Sequence, residues 1–198
     1  MPMSVKKVVI LIDGGYLRAI STKSGKKYDP DFIEKFAHVC KTEEEEIFRI
    51  LYYDCAPFNG EAKLPVSGTM HTFHGSDQWL SELSKRELFA VRKGVLKFRG
   101  FKPKQIPVAA GAKLQDSDFV PDFEQKGVDM RIGLDIGVYS ANRAANRIVL
   151  VSNDTDCIPA LKHARRAGLQ MVIIELPGCS IAPELVSHTD YKRNVSWP

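Results

Sequence analysis

One stretch in the C-terminal third, Arg147 to Gly168, constrains the fold more than any other part of the chain. Ile148 to Val151 form an unbroken apolar run, the pattern of a strand buried on both faces. Ser152-Asn153-Asp154-Thr155-Asp156 then switches abruptly to small polar and acidic residues. Pro159 suits the first turn of a helix, where no backbone N–H is needed, and Gly168 suits its C-terminal cap. Leu169 to Glu175 resumes as a second apolar strand. This is β–turn–α–β, the unit of an open α/β fold. Its turn lies at the carboxyl end of a strand, where such sheets bind their ligands.

The two carboxylates in that turn are either helix caps or chemistry. A cap needs only one, accepting hydrogen bonds from the first free N–H groups of the helix, and Asp156 is better placed for it than Asp154. The choice rests on whether other acids converge on the same edge.

At 198 residues and 44% hydrophobic content, the chain can bury one good core, so a single domain over residues 1–198 is expected. Lys and Arg outnumber Asp and Glu by 28 to 24, an excess that permits a phosphate-rich partner without demanding one. Cys40, Cys55, Cys157 and Cys179 make no Cys-x-x-Cys pair, and read as thiols of a reducing compartment. The apolar run of the first twelve residues is cut short at Asp13, too early for a signal peptide or membrane span. A cytoplasmic protein without a membrane segment is expected.

Along the chain, Val5 to Ile12 reads as a central strand, followed by Asp13-Gly14-Gly15, a sharp turn open to close approach by a ligand. A short helix follows from Tyr16. Asp29-Pro30 opens another, with Phe32, Ile33, Phe36, Ala37 and Cys40 on one face. Ile47 to Cys55 is a strand ending in Asp54, which reads as a turn or cap. Residues 56–75 form a long loop holding His71 and His74, which have no metal-ligand spacing. Ser76-Asp77 caps a helix to about Leu88. Residues 89–104 alternate as a hairpin turning at Lys93-Gly94, and Pro107 to Glu124 reads as loop.

The hairpin carries Arg92, Lys93, Lys97, Arg99, Lys102 and Lys104 among Phe98 and Phe101, with no acid between Arg92 and Lys113. Basic residues mixed with aromatics suit a nucleic-acid surface, although edge strands also use them to block aggregation. Lys162, Arg165 and Arg166 on the helix after Asp156 extend the candidate surface.

Residues from about Gln125 to Tyr139 form a helix. Asp129 lies in its first turn, where the helix dipole favours it. Asp135 lies in its middle, among Met130, Ile132, Leu134, Ile136 and Val138, a set too apolar to be all exposed. An Asp there needs a partner.

Asp13, Asp135, Asp154 and Asp156, with Asp129 beside them, make a group of acids without matching cations. Such carboxylates repel, and a hard divalent ion such as Mg²⁺ or Mn²⁺ would offset the charge. Metal-dependent hydrolysis of a phosphodiester is the chemistry this implies.

Three segments carry a resemblance to a known family: Val9 to Gly14, Lys126 to Asp135, and Leu150 to Pro159. They resemble the NYN domains, a branch of the PIN-like nucleases, over nearly the whole chain. The resemblance implies a PIN-like Rossmannoid, a central parallel sheet with helices on both faces, and RNA cleavage with Mg²⁺ or Mn²⁺. By position Asp13, Asp135 and Asp154 match the metal-binding acids, Asp156 the fourth, and Asp129 a recurrent acid. Lys126 falls where a phosphate contact or a surface lysine would sit. Tyr16 stands where many members carry Asn, and Cys157 where an aromatic is common.

Two alternatives remain open. One is a module that holds RNA or a protein without cutting it. The other is a phosphatase with an aspartyl nucleophile at Asp154 or Asp156, disfavoured because that pair comes late in the chain. RNA is the expected partner, with DNA and self-association left open.

Overall fold

The structure is a computed structural model, and it describes residues 5–198. Its frame is a seven-stranded sheet, ordered β6-β5-β2-β1-β7-β8-β9. These strands are β1 (Lys6–Asp13), β2 (Glu45–Cys55), β5 (Phe89–Pro103), β6 (Phe119–Lys126), β7 (Arg147–Val151), β8 (Gln170–Glu175) and β9 (Tyr191–Asn194). A separate two-stranded hairpin joins β3 (Gly60–Lys63) to β4 (Met70–Phe73). All neighbouring pairs in the main sheet are parallel except β5 with β6.

The apolar runs explain the centre. Every residue of β7 is buried, as are Val8 to Ile12 of β1. Alternate side chains feed two cores. Val8, Ile10 and Ile12 pack towards α1 (Gly14–Lys23), α2 (Pro30–Val39) and α3 (Gln78–Leu83). Val9 and Leu11 pack towards α4 (Val128–Asn142), α5 (Ile158–Arg166) and α6 (Pro183–Ser187). The expected α/β architecture, a largely parallel sheet with helices on both faces, is what the chain adopts.

Two local expectations fail. Residues 89–103 are one continuous strand rather than a hairpin. Gly94 is not a turn residue: a Cβ there would come within 2.8 Å of the Lys126 carbonyl oxygen and 2.9 Å of the Cys55 sulfur. The glycine permits close approach while β5 changes partner. Up to Gly94 the strand runs parallel to Ile50–Cys55 of β2. From Val95 it runs antiparallel to β6, part of the segment expected to be loop. The second half of β5 and β6 thus form an arm continuing from the sheet. The 56–75 segment is not a plain loop either, since β3 and β4 lie within it and Phe58 and Phe73 pack against Phe98 and Phe123 of the arm.

At the amino-terminal edge of the sheet, Glu45 is only 3% exposed. Its carboxylate accepts from Arg147 at 2.6 Å, from Arg193 at 2.9 and 3.0 Å, and from the Thr42 N–H at 2.8 Å. Burial alone would raise its pKa, but the Arg193 and Arg147 guanidinium groups and the Thr42 N–H outweigh it and bring the value down to about 2.

Candidate active site

The acids gather at the carboxyl edge. Asp13 ends β1 and caps α1, its carboxylate accepting from the Tyr16 N–H at 3.0 Å. The next residue has to be glycine: a Cβ at Gly14 would run into the Tyr52 ring and hydroxyl. On the neighbouring strand, Ser152 is fully buried just past the end of β7; its hydroxyl donates to Asp13 at 3.4 Å and accepts from the Asp154 N–H at 3.2 Å. One serine therefore ties the two acidic turns together. Asp154 caps the short 3-10 turn Thr155–Cys157 that leads into α5, accepting from the Asp156 N–H at 2.9 Å, while α5 itself has no side-chain cap, so Asp156 does not take the capping role expected of it. Asn153 fixes this loop to the one after β8, accepting from the Ala182 N–H at 2.8 Å and donating to the Ser180 carbonyl at 3.2 Å.

Asp129 arrives from the first turn of α4. Burial raises its pKa first, then the neighbouring charges of Asp154 and Asp156. Asp13 is raised as well, chiefly by burial, with Asp129 and Asp54 adding repulsion against the lowering effect of its hydrogen bonds. Among the described residues, Asp13, Asp129, Asp154 and Asp156 take part in no ion pair. This is an uncompensated, self-repelling set of oxygen donors.

Asp135 is not brought to this group. Six residues beyond Asp129 on a helix means about 9 Å along the axis and about 120° around it. Its carboxylate accepts from Arg92 Nε at 3.0 Å and from the Tyr53 hydroxyl at 2.9 Å, facing β2 and β5. The partner its mid-helix position called for is therefore an arginine. Of its apolar neighbours only Ile132 and Ile136 are buried, while Met130, Leu134 and Val138 are exposed.

A further acid stands on this edge, one that sequence reading took for a turn or cap. Asp54, at the end of β2, is completely buried, and Arg18 of α1 holds it through two hydrogen bonds of 2.6 and 3.1 Å. The Tyr52 hydroxyl donates to it at 3.1 Å and lies 2.6 Å from the Tyr28 hydroxyl, which donates to the Gly14 carbonyl at 3.2 Å. Gln125, from β6, reaches Asp54 at 3.4 Å and lies over Gly15. This polar chain braces the Asp13-Gly14-Gly15 turn from below. Asp54, paired with Arg18, contrasts with the unpaired acids above it. The only signal in the sequence was an acid ending a strand, which a turn explains equally well.

The basic residues are less free than their spacing implied. Arg92 is tied to Asp135, Arg99 to Glu124 at 3.1 Å, Lys102 to Asp122 at 2.6 Å, and Lys126 also to Glu124. Glu124 and Asp122 come from β6, across the ladder. Lys97 is exposed beside Glu124. Lys162 is exposed on α5, but Arg165 lies towards the far end of that helix, at the opposite edge of the sheet, paired with Asp190 at 2.9 Å. Arg165 does not share the edge of the acids.

The site and frame define a class: an open α/β fold with clustered, unpaired carboxylates at the carboxyl ends of its central strands. The chain matches the NYN domain over residues 7–194 and belongs to that family, a PIN-like nuclease family, which gives it a nuclease-related role. It is similar in fold to a Vibrio parahaemolyticus protein of unknown function, at 17% identity and a TM-score of 0.56, over 98% of this chain and 95% of the other. No curated protein matches the chain by sequence.

Proposed function

We propose that the protein is a ribonuclease hydrolysing RNA phosphodiester bonds with a divalent cation, Mg²⁺ or Mn²⁺, at Asp13, Asp129 and Asp154, with Asp156 at the rim. The observation that carries this reading is that, among the described residues, no counter-cation meets these four acids, while Asp54 beside them is paired with Arg18. The donors fit such an ion in kind: all are carboxylate oxygens, the ligands hard cations take. Among the described residues no three acidic, His or Cys side chains stand close enough to ligate one point as they are. When bound, the ion would offset the charge of the carboxylates and of the phosphate brought against them.

The chain's own residues contribute position. Ser152 and the Tyr16 N–H orient Asp13, the Asp156 N–H orients Asp154, and α4 delivers Asp129. Gly14 makes room for the Tyr52 ring beside Asp13, and Gly15 makes room for the Gln125 side chain. Among the described residues no helix is long and apolar enough to cross a membrane, and the four free thiols suit a reducing, cytoplasmic setting.

A metal-dependence assay tests the reading. Cleavage of RNA should require Mg²⁺ or Mn²⁺ and stop in EDTA; cleavage undiminished by chelation would overturn it. Thermal melts give an independent measure. The folded-state pKa values of Asp13 and Asp129 are raised, so their contribution to stability is complete below the ordinary Asp range and lost as pH rises through the raised values. At neutral pH the metal-free protein should therefore gain stability from Asp129→Asn. Mg²⁺ should then stabilise the parent more than the variant.

RNA is expected to reach the site across the arm, whose solvent face carries Lys97, Arg99, Lys102 and Lys126. Because Glu124 holds Arg99 and Lys126, Glu124→Gln should tighten RNA binding and steepen its salt dependence by about one unit of slope, as freed cations displace counterions. An unchanged slope would place the RNA path elsewhere.

A further inference from the structure

Helix α4 is apolar on the side it buries and on the side it shows to solvent. Val128, Ile132 and Ile136 face the sheet. Opposite them Met130, Leu134 and Val138 are 71%, 63% and 54% exposed, spaced four apart so that they form one ridge. Gly137 and Ala141 lie in the same outward sector. Between Arg131 and Arg143 the helix has one charged residue, Asp135, and it is turned aside to Arg92. The outward face of a solvated helix is ordinarily polar, and contiguous large apolar side chains mark a surface that becomes covered.

We propose that a second copy of this chain covers this face, with α4 lying antiparallel on α4 about a two-fold axis near Gly137. Two features select a copy over another occupant. The first is shape. A ridge at four-residue spacing lies beside a trough at Gly137, where an added Cβ would meet nothing within 4 Å. A ridge and trough on one surface are self-complementary, as an isologous interface requires, and interdigitated four-residue ridges are the commonest helix packing.

The second feature is charge. α4 runs from the carboxyl edge, where Asp129, Asp154 and Asp156 have no cation among the described residues, to the amino edge. There Arg143 and, at the end of α5, Arg166 have no acid partner among the described residues. A two-fold axis across the helix inverts the second copy, so each acidic end meets a basic end and the helix dipoles oppose. An anionic membrane would be repelled by the acidic end. Stable dimers bury about 800 Å² per copy, and α4 is about 22 Å long, so the association is expected to be reversible and concentration-dependent.

Sedimentation of the full chain over a wide concentration range tests the proposal, independently of any cleavage. A monomer–dimer equilibrium is expected, weakened more than about tenfold by Leu134→Glu with the melting temperature unchanged, since Leu134 touches little within its own chain. Gly137→Cys should crosslink between copies with a short bis-maleimide, while Ser67→Cys on the β3–β4 turn should not. The native Cys40, Cys55 and Cys157 are buried, and the half-buried Cys179 is replaced by serine in both variants. If Leu134→Glu fails to fold, Gly137→Cys decides alone. A chain that stays monomeric at every concentration, a dimer indifferent to Leu134→Glu, or a Gly137→Cys variant that forms no crosslink would each overturn the proposal.

Discussion

Asp129→Asn is expected to abolish RNA cleavage while Asp135→Asn lowers it less than about tenfold, although both acids lie on one helix and both were candidates by position. Asp129 lies near enough to Asp154 for that charge to raise its pKa, and near enough to Asp13 to raise the pKa of Asp13, so its carboxylate belongs to the group proposed to hold the cation. Losing a residue that merely supports a metal ligand costs about 10- to 100-fold in metal affinity or activity. Loss of a ligand itself should exceed that upper figure. Asp135 instead serves Arg92 and Tyr53. Its replacement removes a half-buried ion pair, with an expected cost of about 1–2 kcal/mol in stability and less than about tenfold in cleavage, the lower end of a supporting effect. The comparison is made with purified variants below both melting temperatures. Equal losses would put Asp135 in the reacting group and sink this assignment.

The largest expected stability effect lies at the other end of the sheet. Glu45→Ala leaves Arg147 and Arg193 without their shared carboxylate in a nearly dry environment. Removing one partner of a buried ionic group costs about 3–5 kcal/mol. For a chain of this size that lowers the melting temperature by roughly 10 °C. Glu46→Ala, next in sequence and exposed, should change stability by no more than about 0.5 kcal/mol. The pH dependence has the opposite sign to that of Asp13 and Asp129. The pKa of Glu45 is lowered, so its contribution is present above the ordinary Glu value and fades as pH falls towards about 2. Acid titration of parent and variant should show the gap between them closing over that range. A variant as stable as the parent at neutral pH would mean that the two arginines are hydrated despite their burial.

How much could be read from the chain depended on whether one residue's neighbours settle its environment. The β7–turn–α5–β8 unit was legible because a strand buried on both faces is apolar at every position, and Pro159 and Gly168 mark the ends of its helix. The arm was not. A strand that changes partner at Gly94 alternates just as a hairpin does, and β6 contains Pro121 and Asp122, which read as loop. On α4, apolar residues at 130, 132, 134, 136 and 138 leave the buried side undetermined. The direction in which Asp129 and Asp135 face could therefore not be told from spacing. The cations of the arm looked free because Glu124 and Asp122, which restrain them, lie more than twenty residues away along the chain for Arg99 and twenty for Lys102.

The segment after β8 bears on how the molecule is made as well as on how it is held. Arg193 donates to the Cys40 carbonyl and to Glu45, and Trp197 packs against Phe32 and Phe36 of α2 at 5.9 and 6.0 Å. Partners separated by some 150 positions cannot meet while the later ones are still inside the ribosome. Every strand from β1 to β8 can emerge and pair while one side of α2 stays wet and Glu45 lacks one of its two arginines. Synthesis from one end to the other therefore leaves this corner until late, and a nascent chain must keep its α2 aromatics out of other contacts until residues 193–197 arrive.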